Sequence, residues 1–162
     1  MLPHIHEAQE LLDKCQKLIR GLTILDVPIL LSEQYPAGLG PTVESIKTLL
    51  PIAQSHDKIS FSCCGDDNII SVLAQAERKF IIIAGIEAHV CVLQTVVDLI
   101  GLDYQPVVIK DCIGSRQADD KNTAVQRMLQ EGAIISTFET ILFELCRQAG
   151  TDRFSSISRI VK

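Results

Sequence analysis

The chain alternates short, unbroken apolar runs with stretches of helical periodicity, and few folds accept that pattern. Ile29–Leu30–Leu31, residues 79–84 with Ile81–Ile82–Ile83 at their centre, Val107–Val108–Ile109 and residues 133–136 are too short for helices and are not alternating. Such runs are strands of a parallel sheet, apolar on both sides because helices cover both faces. Between them, residues 5–20 put Ile5, Ala8, Leu11, Leu12, Cys15, Leu18 and Ile19 on one helical stripe. Residues 67–76, 90–100 and 119–130 read as further helices, and a last one starts at a Thr137 cap and stops at Gly150. Residues 58–62 alternate like a strand, residues 34–41 hold two Pro and two Gly and read as a loop, and residues 42–50 are weakly helical at most. The expected architecture is α/β, a Rossmann-like three-layer sandwich with a parallel sheet. Residues 1–162 form one domain, without internal repeat or linker.

Composition removes other classes. The 162 residues are 47% hydrophobic and 22% charged, too apolar for a disordered chain. Six Cys at 15, 63, 64, 91, 112 and 146 follow neither metal-ligand nor disulfide-scaffold spacing, which reads as reduced thiols of a cytoplasmic protein. The net charge of −5, scattered basic residues and 4% aromatics argue against nucleic acid as a partner. No apolar stretch approaches the roughly 18 residues of a membrane span, and no secretory signal is visible.

Ligands of parallel sheets sit beyond the strands' carboxyl ends. Four segments leave those ends: 32–40, 63–67, 85–91 and 111–118. The third is the most informative. An apolar strand ends at Gly85, turns tightly and delivers Cys91 to the first turn of an apolar helix. There the helix dipole and unpaired N–H groups favour a thiolate and can hold an oxyanion; a buried Cys acting as a small hydrophobe is the plainer alternative.

Gly-Ile-Glu-Ala-His-Val-Cys-Val-Leu-Gln-Thr at 85–95 resembles the nucleophile segment of the isochorismatase-like (cysteine hydrolase) family. Ser-Glu-Gln-Tyr-Pro-Ala-Gly-Leu-Gly-Pro-Thr at 32–42, Lys-Ile-Ser-Phe-Ser-Cys-Cys at 58–64 and residues 132–145 resemble its other segments in the expected order. The resemblance implies six parallel strands and an Asp-Lys-Cys triad that attacks an amide-like or carbonyl metabolite, with Cys91 as nucleophile and a covalent acyl-enzyme. It implies an oxyanion hole from the backbone N–H groups of Glu87 and Cys91, a cis peptide at Ile86–Glu87, and homo-oligomers. No cofactor and no metal are expected. Residues of this family's loop normally read Tyr-Pro-Lys-Gly; here Ala37 stands at the lysine position. The catalytic Asp ends the family's first strand, for which there is no room between Met1 and the first helix. Met1 is therefore expected to be an internal methionine of a longer chain or the start of a truncated copy, and the first strand's neighbours to be left unpaired unless they close up or another chain fills the gap.

Tyr35, His89 and Arg116 are the candidate binding residues: His89 as a possible base or a local hydrogen-bonder, Arg116 for an anionic group or as a solvated surface residue. Glu33 and Asp111 can stand in for the lost carboxylate, though helix capping and loop bracing also suit them. Cys112 and Cys146 read as core, and Cys63 and Cys64, taken as strand neighbours, face opposite ways. Two further classes compete with a hydrolase: a catalytically degenerate binding or oligomeric protein, and a redox-sensing flavodoxin-like protein.

Overall fold

Val107, Val108 and Ile109 make the best-buried strand of the protein, and the rest is arranged around it. The computed structural model describes residues 2–51 and 55–162. Strand β4 (Gln105–Gly114) lies between β3 (Phe80–Ile86) and β5 (Ile134–Ser136), all parallel. Side chains alternate along a strand, so β4 serves two cores. Val107, Ile109 and Cys112 join Leu18 and Leu22 of α1 (Ala8–Ile24), Phe138, Ile141 and Leu142 of α7 (Phe138–Cys146) and Ile157 of α8 (Asp152–Val161). Val108 and Ile113 join Leu93 and Val96 of α5 (Leu93–Gly101) and Ala124 and Met128 of α6 (Ala118–Gln130) on the opposite face. Helix, sheet, helix is the expected three-layer order.

The remaining strands stand apart. β1 (Leu31–Gln34) and β2 (Ser55–Lys58) form a separate two-stranded parallel sheet, with α2 (Pro36–Leu39) and α3 (Glu44–Lys47) between them. The five strands of the described residues are thus split two and three, the break falling between β1 and β3. α4 (Asp67–Gln75) follows a 3-10 turn at Cys63–Gly65 and is capped by Asp66, whose carboxylate accepts the N–H groups of Asn68 and Ile69.

Several boundaries differ from those read in the sequence. The strand expected at 58–62 is β2, which ends at Lys58; Cys63 and Cys64 lie in the 3-10 turn, not a strand. The 34–41 loop contains the helical turn α2. The helix expected from residue 90 begins as a π-helical turn, Ala88–Val92, before α5. β4 runs five residues past Ile109, so Asp111 lies inside it. The last helix ends at Cys146, a half-buried residue, and α8 was not foreseen. Among the described residues, no helix is long and apolar enough to cross a membrane.

Candidate active site

The turn after β3 is the centre of the site. Gly85 has φ 119°, a conformation that side chains resist, and the Ile86–Glu87 peptide is cis, as the resemblance implied. Both Val90 and Val92 donate their N–H groups to the Glu87 carbonyl at 3.2 Å, which winds the π turn carrying Cys91. Glu87 is buried, and its Oε2 accepts from the Arg116 Nε at 3.0 Å and the Arg116 N–H at 3.3 Å. Arg116 thereby braces the turn while most of its side chain stays in solvent.

Cys91 is half-buried and its Sγ lies 3.8 Å from the Gln34 Oε1 at the end of β1. The same oxygen accepts a hydrogen bond from the Lys58 Nζ, at the end of β2. Lys58 is only 4% exposed, and its other donors go to the carbonyls of Ser60 at 3.0 Å and Phe61 at 2.7 Å. No carboxylate lies within ion-pair distance of it among the described residues. Burial pushes the Cys91 thiol up from its ordinary value; the Lys58 charge and a hydrogen bond from the Glu87 backbone pull the other way without prevailing. The helix start that favours a thiolate is thus opposed by the burial of the sulfur.

Lys58 is the residue that sequence reasoning missed. Ala37, the position expected to hold the site's lysine, is exposed on α2, and the cation that reaches Cys91 comes from the end of β2 instead. Lys58 reaches the site because β2 pairs with β1, a placement that depends on strand pairing and leaves one unremarkable residue in the sequence. Tyr35 has a left-handed backbone (φ 41°), donates its N–H to the Lys58 carbonyl at 2.9 Å and has a largely exposed ring. His89 turns aside, its Nδ1 2.9 Å from the Ser115 Oγ and its Nε2 3.9 Å from the Asp120 carboxylate.

The two stand-in acids are occupied elsewhere. Glu33 Oε1 accepts the Thr42 N–H at 2.6 Å and lies 3.3 Å from the Lys47 Nζ, bracing the loop after β1. Burial alone would raise its pKa, but the Thr42, Ser55 and Lys47 donors outweigh that and lower it to about 2. Asp111 accepts the Phe138 N–H at 3.0 Å at the start of α7. Cys63 connects β1 to α5: its N–H donates to the Thr95 Oγ1 at 2.9 Å and its Sγ lies 3.5 Å from the Ser32 Oγ.

Residues 1–140 match the model of the isochorismatase domain. The chain belongs to the isochorismatase family. It is 35% identical to isochorismatase family protein 1B of Dictyostelium discoideum, over 98% of this chain and 79% of that protein. It is 34% identical to the secreted isochorismatase effector Isc1 of Phytophthora sojae, over 90% of this chain and 71% of that protein. Among solved structures, the MAR1 ribonuclease of Caenorhabditis elegans superposes with a TM-score of 0.90 at 33% identity, covering 98% of this chain and 82% of that one. The family match accords with the helix–sheet–helix order.

Proposed function

We propose that the chain carries the site of a cysteine hydrolase acting on a small amide-like or carbonyl metabolite. The observation behind it is the convergence of the Cys91 thiol and the buried Lys58 ammonium on the Gln34 side chain, at the end of β1. In this reading Cys91 Sγ attacks the substrate carbonyl carbon, forming a C–S bond. The backbone N–H groups of Glu87 and Cys91 hold the resulting oxyanion, with Tyr35 and Arg116 as the candidate contacts to the rest of the substrate. The oxyanion collapses, the amine leaves with a proton, and water hydrolyses the thioester, returning the carboxylic acid and the thiol.

The first step also needs a base for the thiol proton. Gln34, beside the sulfur, accepts a hydrogen bond but cannot take up that proton, and Glu33, Glu87 and Asp111 are engaged elsewhere. Lys58 acts as a fixed positive charge that lowers the cost of the thiolate without removing the proton. The 162 residues alone are accordingly expected to turn over slowly, a state in which ligand binding outlasts chemistry. Self-association belongs to the same reading, because Phe80, Leu102 and Leu129 are large, apolar and exposed.

The test is iodoacetamide labelling of Cys91 across pH, read by mass spectrometry, alongside a panel of amides, imides, esters and an RNA oligonucleotide. The midpoint should lie above the ordinary thiol value of about 8.5 and rise further in Lys58→Met. A melting curve checks that the variant is folded. Any hydrolysis in the panel should vanish in Cys91→Ala. Hydrolysis that survives Cys91→Ala, or a midpoint indifferent to Lys58, overturns the reading.

A further inference from the structure

Strand β1 gathers two of the chain's six thiols on one side. Ser32 and Gln34 are two residues apart, so their side chains leave β1 on the same side, while Glu33 between them turns to the Thr42 N–H. The Cys63 Sγ lies 3.5 Å from the Ser32 Oγ, and the Cys91 Sγ lies 3.8 Å from the Gln34 Oε1. The two sulfurs are thus seated along one face of one strand. A second contact holds the pair from the helix side. The Cys63 N–H donates to the Thr95 Oγ1 at 2.9 Å, and Thr95 is buried. Thr95 comes four residues after Cys91, one turn along on the same face, and a helical side chain leans back over the turn before its own Cα. The Cys63 backbone is therefore drawn toward the turn that carries Cys91. The sulfurs are near enough for a charge on Cys63 to oppose one on Cys91.

The other four thiols are placed differently. Cys64, next in sequence, aims its Sγ at the Thr95 carbonyl, 4.0 Å away, and burial pushes it up to about 11. Cys15 donates to the Cys112 carbonyl at 3.4 Å, and Cys112 is fully buried in the core beneath α1. Cys146 donates to the Gln148 carbonyl at 3.7 Å, at the far end of α7. Cys63 and Cys91 are both half-buried, so a small oxidant has access to them.

We propose that Cys63 is a resolving thiol for Cys91: once a hydroperoxide has oxidised Cys91, Cys63 captures it as a reversible Cys63–Cys91 disulfide. In the first step the Cys91 sulfur attacks one peroxide oxygen, the O–O bond breaks, and the second oxygen leaves with the thiol proton as water. Cys91 is then a sulfenic acid. In the second step the Cys63 sulfur attacks the Cys91 sulfur, the S–O bond breaks, and hydroxide leaves with the Cys63 proton as a second water. Two electrons pass from the two sulfurs to one peroxide. The sulfurs leave Ser32 and Gln34 to make the bond, and a dithiol reductant restores both. Burial slows the first step, so the neighbour of Cys91 decides what the oxidised site becomes. Without Cys63, a second peroxide carries the sulfenic acid to the irreversible sulfinic acid. This inference builds on the proposed site, because Cys91 is the thiol it protects.

The test treats the full, reduced chain with hydrogen peroxide, blocks the remaining thiols and maps tryptic peptides without reduction. The peptides spanning 59–78 and 80–110 should appear joined and lighter by two hydrogens, and separate again on reduction. Cys64→Ser should leave that product in place. Cys63→Ser, shown to be folded by its melting curve, should lose it and instead raise Cys91 sulfinic acid by about tenfold. Phenylarsine oxide, which needs two thiols to bind tightly, should shield Cys63 and Cys91 together from alkylation in the wild type. A joined product that survives Cys63→Ser and disappears in Cys64→Ser overturns the proposal. So does sulfinic acid at Cys91 to the same extent with and without Cys63, or a disulfide confined to Cys15 and Cys112. Hydrolysis that depends on Cys91 without any joined product overturns this inference alone; a joined product beside hydrolysis that survives Cys91→Ala overturns the hydrolase reading alone.

Discussion

At the residue scale, a single acid shows how far this protein uses charge to hold a loop. Glu33 is buried with Thr42, Ser55 and Lys47 as donors, and its carboxyl is held at about 2, below the usual value near 4.5. A depressed pKa contributes stability that is complete above the unfolded-state value and is lost as pH falls from about 4.5 through about 2. Urea unfolding should therefore find Glu33→Gln less stable than the wild type by about 2–3 kcal/mol at pH 6, with the difference closing as pH approaches 2. A difference that stays constant between pH 6 and pH 2.5 would show that the carboxylate's charge is not what holds the loop. Cys91 and Lys58 illustrate the limits of reading at this scale. Cys91 was legible because an apolar strand ending in glycine announces a turn. Lys58 was not, because nothing in Lys-Ile-Ser-Phe-Ser tells which strand end lies beside β1.

At the element scale, α1 and α7 meet at a point where no extra atom fits. A Cβ on Gly21 would lie 2.5 Å from both methyls of Leu142. Gly21→Ala should cost about 1–3 kcal/mol by overpacking, and Leu142→Ala about 2–5 kcal/mol by leaving a cavity. In the double variant the new methyl enters that cavity, so a urea double-mutant cycle should give a loss smaller than the sum by more than about 1 kcal/mol. Strict additivity would mean that the helices separate instead of clashing. The central elements were readable because burial on both faces leaves strands with no polar residue to blur them. Three others were not. β2 reads Ser-His-Asp-Lys and is a strand only because β1 pairs with it. The far half of β4 exists because a bulge brings Ile113 and Gly114 alongside Gly85 and Ile86. α8 did leave a signal, a Thr151 cap followed by Phe154, Ile157 and Val161 at helical spacing, that ending the last helix at Gly150 passed over.

At the scale of the whole molecule, the division of strands predicts a division of stability. The three-stranded sheet has helices on both faces, while β1 and β2 form a pair, which is marginal without support. Its ties to the larger body include the Cys63–Thr95 hydrogen bond and the packing of Val27 and Ile29. Native-state hydrogen exchange should find the amides of Glu33 and Tyr35, which face β2, opening at a lower free energy than those of Val108 and Ile109. Equal values would mean that the two sheets unfold as one unit. The sequence reading expected two inner strands to be left unpaired; the division into β1–β2 and β3–β4–β5 among the described residues became visible only through strand pairing.

Lys58 closes one route of variation. Its ammonium meets three oxygens at once, those of Gln34, Ser60 and Phe61, so each proton already has a destination. An arginine there would bring five donors in a flat fork to a socket built for three, and would strand the surplus away from water. The positive charge opposite Cys91 is thus tied to a shape, and a lineage that keeps the charge must also keep the short, round group that carries it.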